Sequence, residues 1–411
     1  MVTETDINAL SAWLAEAGLN GASEDAVVGG FCERANTIGV PVDRSLVIID
    51  TLHPVYEGRL FRWGQDPSQP SFVEYGRTVV PEGVALGADE ERAAASWRNS
   101  PFYYMLQNGH SLLRLTEEHV SLFPVMQDHV AAGMRSGVAI VNRFAPEGII
   151  GEMDAVYSSW MTTRHGGFTD EHVDALARLV PILALAVKAL ALTRMTGTLM
   201  ETYLGRDAAR RVLSGRIMRG VAERIDAAIW FSDLSGFTRV TDSAPEQVIP
   251  LLNDYADVAV SAIHAHGGDV LKLIGDGILA IFTAEDRATA CAAALRAATV
   301  ARRDVAALNA RRARDLLPVT DMYLGLHVGE VFYGNIGSLD RLDFTVVGPA
   351  VNEASRIATM CRSVEQPVLV SQAFAAVDGM RGRLVSVGRY ALRGVERPQE
   401  LFTLEPGGGA E

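Results

Sequence analysis

Two aspartates sit in settings that suit divalent-metal and phosphate chemistry. Asp233 lies in Phe231-Ser232-Asp233-Leu234-Ser235-Gly236-Phe237-Thr238, where an apolar strand delivers it to a glycine-bearing loop that opens a helix. Its carboxylate offers a hard oxygen donor, and the backbone N–H groups from Gly236 to Thr238 suit phosphate oxygens. Asp276 lies in Lys272-Leu273-Ile274-Gly275-Asp276-Gly277, a tight turn between two apolar strands. Alone, the first aspartate reads equally as a turn or cap former, and the second as an ordinary hairpin turn. Together, on adjacent strand ends, they can clamp two divalent ions. Such ions bridge phosphate oxygens, lower the pKa of an attacking hydroxyl and neutralise a leaving group. Asn352 and Arg356 share one helix face at i, i+4 spacing, behind the helix-start signal Gly348-Pro349. By themselves they read as a surface pair.

The elements that must position these residues alternate in the second half of the chain. Strands are expected at 227–232, 269–272, 278–283, 323–328 and 330–333, with a turn at Gly329. Helices are expected at 245–266 and 287–309, an order that suits an α/β (α+β) sheet with outer helices. The first half reads as a separate mixed α/β domain over 1–168, built on a mixed sheet. It has helices at 6–17 and 23–38 and strands at 45–51, 59–63, 72–75, 137–143 and 155–162; helices or ordered loops fill 90–109 and 116–133. Between the halves, Thr169 is a candidate N-cap for a helix whose apolar residues Val173, Leu176, Val180, Leu183, Val187 and Leu190 alternate three and four apart. That seam suits packing on its own domain and also pairing with a second copy in a parallel dimer, the favoured expectation. Residues 196–198 read as a connector to a second helical piece, 199–213, interrupted at 203–207. The transducer region is thus 169–215, the second domain 216–405, and the Gly-rich tail 406–411 is expected to be disordered.

With 411 residues and 48% hydrophobic content, the chain has material for two cores of ordinary size. Fifty acidic residues against 37 basic ones give a net charge of −13, which speaks against nucleic acid as a partner. Cys32, Cys291 and Cys361 form no C-x-x-C pair and read as buried apolar residues. The N-terminus lacks the pattern of a signal peptide, and the most apolar stretch, 179–187, falls short of a membrane span. A cytoplasmic protein without membrane insertion is expected.

The segments Phe231–Thr238 and Lys272–Gly277 resemble the two metal-binding motifs of class III adenylate/guanylate cyclases. The run Thr345-Val346-Val347-Gly348-Pro349-Ala350-Val351-Asn352-Glu353-Ala354-Ser355-Arg356 resembles that family's third signature. The resemblance covers roughly 226–404 and implies a ferredoxin-like palm. It makes Asp233 and Asp276, with the Leu234 carbonyl, ligands for two Mg²⁺ or Mn²⁺ ions. It assigns Lys272 and Thr345 to the purine edge, Asn352 to the ribose and Arg356 to the α-phosphate. Arg393 falls where the family usually has a lysine touching the terminal phosphates, so the charge is kept with a different donor geometry.

On these assignments, adenine offers an acceptor at N1 and a donor at N6 that Lys272 and Thr345 can satisfy. Guanine N1–H would confront the Lys272 ammonium with a second donor, so ATP is the expected substrate. The resemblance also implies a homodimer with composite sites, the carboxylates of one subunit facing the base-, ribose- and phosphate-binding residues of the other. Gly166-Gly167-Phe168-Thr169-Asp170 and the helix after it resemble GAF-type sensory domains, which implies an unidentified small ligand or partner. Trp63, Trp97, Trp160, His53, His110, His119, His129 and His165 are candidate contacts there, each also compatible with packing or surface.

Overall fold

A computed structural model describes residues 2–64, 70–76, 88–151, 153–392 and 398–405, without the side chains of 88–90 and 117. The chain divides into two compact units, 1–199 and 200–411. In the first, α1 (Glu4–Leu19) and α2 (Glu24–Thr37) precede β1 (Arg44–Asp50), β2 (Tyr56–Trp63) and β3 (Phe72–Gly76). Then come α3 (Ala88–Arg98), α4 (Pro101–Asn108), β4 (Leu112–Leu115), α5 (Pro124–Ala131), β5 (Ser136–Arg143), β6 (Ala155–Thr162) and α6 (Asp170–Leu204). The sheet order is β3-β2-β1-β6-β5-β4. A mixed sheet was expected, but every described ladder in it is antiparallel.

One face of that sheet carries the larger core, in which Val47, Ile49, Phe61, Val138 and Trp160 meet α1, α2 and α6. The α2–sheet layer also buries a charge cluster. Arg59 is 1% exposed, and its guanidinium donates to Glu24 at 3.0 Å and Glu74 at 3.3 Å. Isolated burial of such a cation costs several kcal/mol, and paired carboxylates offset that cost.

α6 departs from the expected break. It runs 35 residues through Thr196-Gly197-Thr198 without interruption, with Pro181 inside it. Thr169 caps it as expected: its Oγ1 accepts from the His172 amide at 3.3 Å, and its own amide donates to His172 Nδ1 at 3.2 Å. All six seam residues are at most 8% exposed within the first unit's own core. The seam is therefore already covered, and pairing with a second copy through it has no free apolar face, contrary to the favoured expectation. By length and composition α6 could cross a membrane, a longer apolar helix than the 179–187 stretch suggested. However, 56% of its most apolar window is buried in the structure, as in a core helix.

The second unit starts with α7 (Arg206–Leu213), separated from α6 by Gly205 at φ +83°. A Cβ at Gly205 would lie 2.3 Å from the Val270 carbonyl oxygen, so glycine is required there both for space and for backbone conformation. Then follow β7 (Ala222–Leu234), α8 (Phe237–Ser243), α9 (Val248–Ala265), β8 (Asp269–Ile274), β9 (Gly277–Phe282) and α10 (Arg287–Arg314). The remaining elements are β10 (Met322–Gly337), β11 (Leu342–Val347), α11 (Pro349–Val364), β12 (Val368–Ser371), α12 (Gln372–Ala375), β13 (Leu384–Tyr390) and β14 (Gln399–Leu404). The sheet order is β13-β14-β12-β10-β7-β9-β8, with β11 hairpinned onto β10. Among the described strand ladders only β10 and β12 pair in parallel.

β7 is central, and residues 227–230 are buried on both faces, as a continuous apolar run predicts. The two strands expected at 323–328 and 330–333 are one strand. Gly329 pairs with Ala227 inside the ladder rather than turning, because its neighbours keep the alternation unbroken.

Candidate active site

The two aspartates meet. β7 and β9 pair through Ser232 and Ile278, which brings the end of β7 beside the β8–β9 turn. That turn is the two-residue loop Gly275-Asp276, with Gly275 at φ +63° and Ile274 opposite Gly277. Gly277 permits the approach, since a Cβ there would lie 2.7 Å from the Ser232 carbonyl oxygen. Asp276 Oδ2 accepts from the Leu234 amide at 3.3 Å.

Burial and the neighbouring Asp276 push the Asp233 carboxyl up to about 6. Both line a cleft of about 170 Å³ together with Asn253, Tyr255 and the apolar Ile249 and Leu273. Gly236, at φ +68°, starts α8, so Gly236, Phe237 and Thr238 follow directly on Asp233 and Leu234.

Neither aspartate forms an ion pair with a basic side chain among the described residues. Two adjacent carboxylates that repel one another and lack a protein cation fit divalent ions. No cluster of three or more His, Cys, Asp or Glu exists among the described residues. By themselves the two carboxylates would offer a divalent ion an incomplete set of ligands.

Among the described residues, the remaining predicted ones lie on β8, β11 and α11. Lys272, on β8, pairs with Asp343 of β11. Thr345 lies two residues further along the same strand and is buried. Asn352 and Arg356 sit on α11, whose opposite side buries Ala350, Ala354, Ile357, Ala358 and Cys361. Gly325 of β10 admits that helix: a Cβ there would lie 2.4 Å from the Ala354 carbonyl oxygen. Below α11, buried His327 meets Ser371 Oγ at 2.9 Å and Glu353 at 3.5 Å. Arg356 has no ion-pair partner among the described residues. Lys272, Thr345, Asn352 and Arg356 are all absent from the lining of the carboxylate cleft. Arg393 lies outside the described residues, as does the 406–411 tail.

Sequence reasoning overlooked Asp343. Strand alternation was the available signal, because positions 343 and 345 must share a face.

Residues 221–406 match the family described as the adenylate and guanylate cyclase catalytic domain. An uncharacterized protein of Mycobacterium tuberculosis is 32% identical over 213 residues, covering 49% of this chain and 37% of its own length. Adenylate cyclase 1 of Rhizobium meliloti is 29% identical over 177 residues, covering 42% of this chain and 27% of its own. The chain thus spans little more than a third of the curated relatives it matches. Among solved structures, the adenylyl cyclase CyaB from P. aeruginosa is 24% identical, with 46% of this chain and 97% of that chain covered at a TM-score of 0.42. The guanylyl cyclase Cya2 is 27% identical, with 45% and 96% covered at a TM-score of 0.40. With its paired aspartates gathered at the ends of adjacent strands, the segment 221–406 belongs to the class III adenylate and guanylate cyclase catalytic domains.

Proposed function

We propose that this chain is an adenylate cyclase that forms 3′,5′-cyclic AMP and pyrophosphate from ATP. The observation that carries this reading is the convergence of Asp233 and Asp276 in one cleft, without a protein cation to neutralise them. They and the Leu234 carbonyl would hold two Mg²⁺ or Mn²⁺ ions, which when bound supply Lewis acidity at the phosphates and at the ribose 3′-oxygen. Asn352 orients the ribose, and Arg356 donates to α-phosphate oxygens as charge builds there during in-line attack. Gly236, Phe237 and Thr238 hold phosphate oxygens through main-chain amides.

Lys272 donates to adenine N1. Thr345 serves the exocyclic amine, with Asp343 as a second acceptor beside it. The same Lys272–Asp343 pair in swapped order would suit guanine O6 and N1–H, so guanylate cyclase is the second reading.

A second copy of the chain supplies Lys272, Thr345, Asn352 and Arg356 to each carboxylate cleft. Two observations support this: those residues do not line the cleft of their own chain, and exposed Ile249, Leu273 and Ile274 lie at or beside the cleft. The first unit acts as a regulatory, GAF-like module of a cytoplasmic enzyme.

Chromatographic assay of the full chain with each of four nucleoside triphosphates, in Mg²⁺ and in Mn²⁺, tests the reading. Cyclic AMP as the main product is expected, and Asp233→Asn or Asp276→Asn should abolish it. Cyclic GMP as the main product would select the second reading. No cyclic product in Mn²⁺ would refute both. Mixing Asp233→Asn with Arg356→Ala chains should restore roughly a quarter of wild-type activity if sites are composite, and none if they are not.

A further inference from the structure

The first unit holds a cavity of about 320 Å³ on the sheet face opposite α1, α2 and α6. The register builds its floor: Leu46 pairs with Arg62 on one side and Ser159 on the other, and Arg44 pairs with Met161. These side chains share one face, and α5 closes over them with Asp128 and His129.

Two guanidiniums stand on this floor without an ion pair among the described residues. Arg44 Nε is buried with no hydrogen-bond partner, and its terminal nitrogen meets only His129 Nδ1, at 3.5 Å. Half-buried Arg62 has no ion pair among the described residues, and burial alone lowers its pKa. Elsewhere the chain neutralises buried guanidiniums: Arg59 has Glu24 and Glu74, and Arg312 has Asp254. The contrast is sharp in a protein with 13 more acidic than basic residues. Asp128, the acid on the cavity wall, is exposed. Burial and the neighbouring Arg44 lower the His129 pKa, with Asp128 opposing.

Partly desolvated cations without counterions carry a cost, and a forked guanidinium pair with a hydroxyl alongside is a donor set for an oxyanion. The volume suits a small molecule rather than a lone ion. We propose that this cavity binds a small organic anion through a carboxylate or phosphate group, held by Arg44, Arg62 and Ser159.

Thermal unfolding of the full chain in EDTA, which keeps phosphate off the metal-dependent cleft, provides the test. Inorganic phosphate and succinate serve as probes, each against chloride at matched ionic strength. A saturable rise in Tm with phosphate, with succinate, or with both supports the proposal, and the active probe identifies the anionic group. Arg44→Gln and Arg62→Gln should each raise the half-saturating concentration by about tenfold or more, whereas Arg135→Gln, an exposed control, should leave it unchanged. If a glutamine variant fails to fold, Ser159→Ala and Arg62→Lys test the same contacts. No saturable rise with either probe, or an equal rise in all variants, overturns the proposal.

Discussion

Gly325→Ala should shift α11 without touching the carboxylate cleft. Gly325 lies in the middle of β10, paired with Phe231 of β7 and Leu369 of β12. Its φ is not positive, so alanine suits the strand backbone itself. The obstacle is α11: the new Cβ would lie 2.4 Å from the Ala354 carbonyl oxygen and 2.5 Å from the Ala358 amide nitrogen. Ordinary contact begins near 3.4 Å, so the helix must retreat by about 1 Å, because both obstacles are backbone and neither can rotate away. Overpacking of this kind costs about 1–3 kcal/mol. For a unit of this size that lowers Tm by roughly 2–4 °C per kcal/mol.

The retreat carries Asn352 and Arg356 with it, and a misplacement of about 1 Å can cost on the order of a hundredfold in turnover. Asp233, near the end of β7, and Asp276, in the β8–β9 turn, are not part of α11. Calorimetry and cyclic-nucleotide formation at saturating Mn²⁺ and ATP should therefore show a folded protein with a lower Tm and a lower kcat. Turnover within about twofold of wild type would refute the claim that Gly325 sets the seat of α11.

Asp343→Asn should leave stability within about 1 kcal/mol, since the Lys272 pair is half-exposed, but should change the ratio of ATP to GTP turnover. An unchanged ratio would remove Asp343 from base selection. Arg59→Ala leaves buried Glu24 only the more distant Arg194, at 3.8 Å, and should destabilise by about 3 kcal/mol in urea unfolding, with much of that loss recovered in the Arg59→Ala, Glu24→Gln double variant. Gly197→Ala, inside α6 with no atom within 4 Å of the new Cβ, should stabilise by about 0.5–1 kcal/mol, seen as a higher Tm. Burial holds the His327 pKa below its ordinary value, with Glu353 opposing. The unfolded chain then binds the extra proton first, so His327's contribution to stability is present above about pH 6.5 and lost as pH falls below it. His327→Gln should therefore flatten the decline of Tm below that pH, and an identical decline would show that His327 does not contribute.

The carboxylate cleft was legible because its residues are local to two short motifs, each with a glycine whose conformational freedom the turn uses. The strands at 45–51, 137–143 and 155–162 were legible because they are apolar runs with clear ends. Strand β10 was misread at Gly329, where a glycine normally taken as punctuation sits in a ladder held by β7. The same bias placed a break at Thr196-Gly197-Thr198, although tertiary packing of the preceding turns keeps α6 helical. Asp343 was missed for a different reason. Its partner Lys272 is 71 residues away, and only the hairpin of β11 on β10 reveals that the two meet. The seam of α6 was correctly read as apolar, but periodicity cannot say whether a chain's own core or a second copy covers it.

Between Asp170 and Leu204 the backbone offers no loose link, so the first articulation after the N-terminal unit is Gly205. That pivot rests against the carbonyl of Val270, two residues before the lysine that reads the base in the proposed reaction. Any side chain in its place would push on β8 itself, so the strand that carries Lys272 keeps its course only while this residue stays bare.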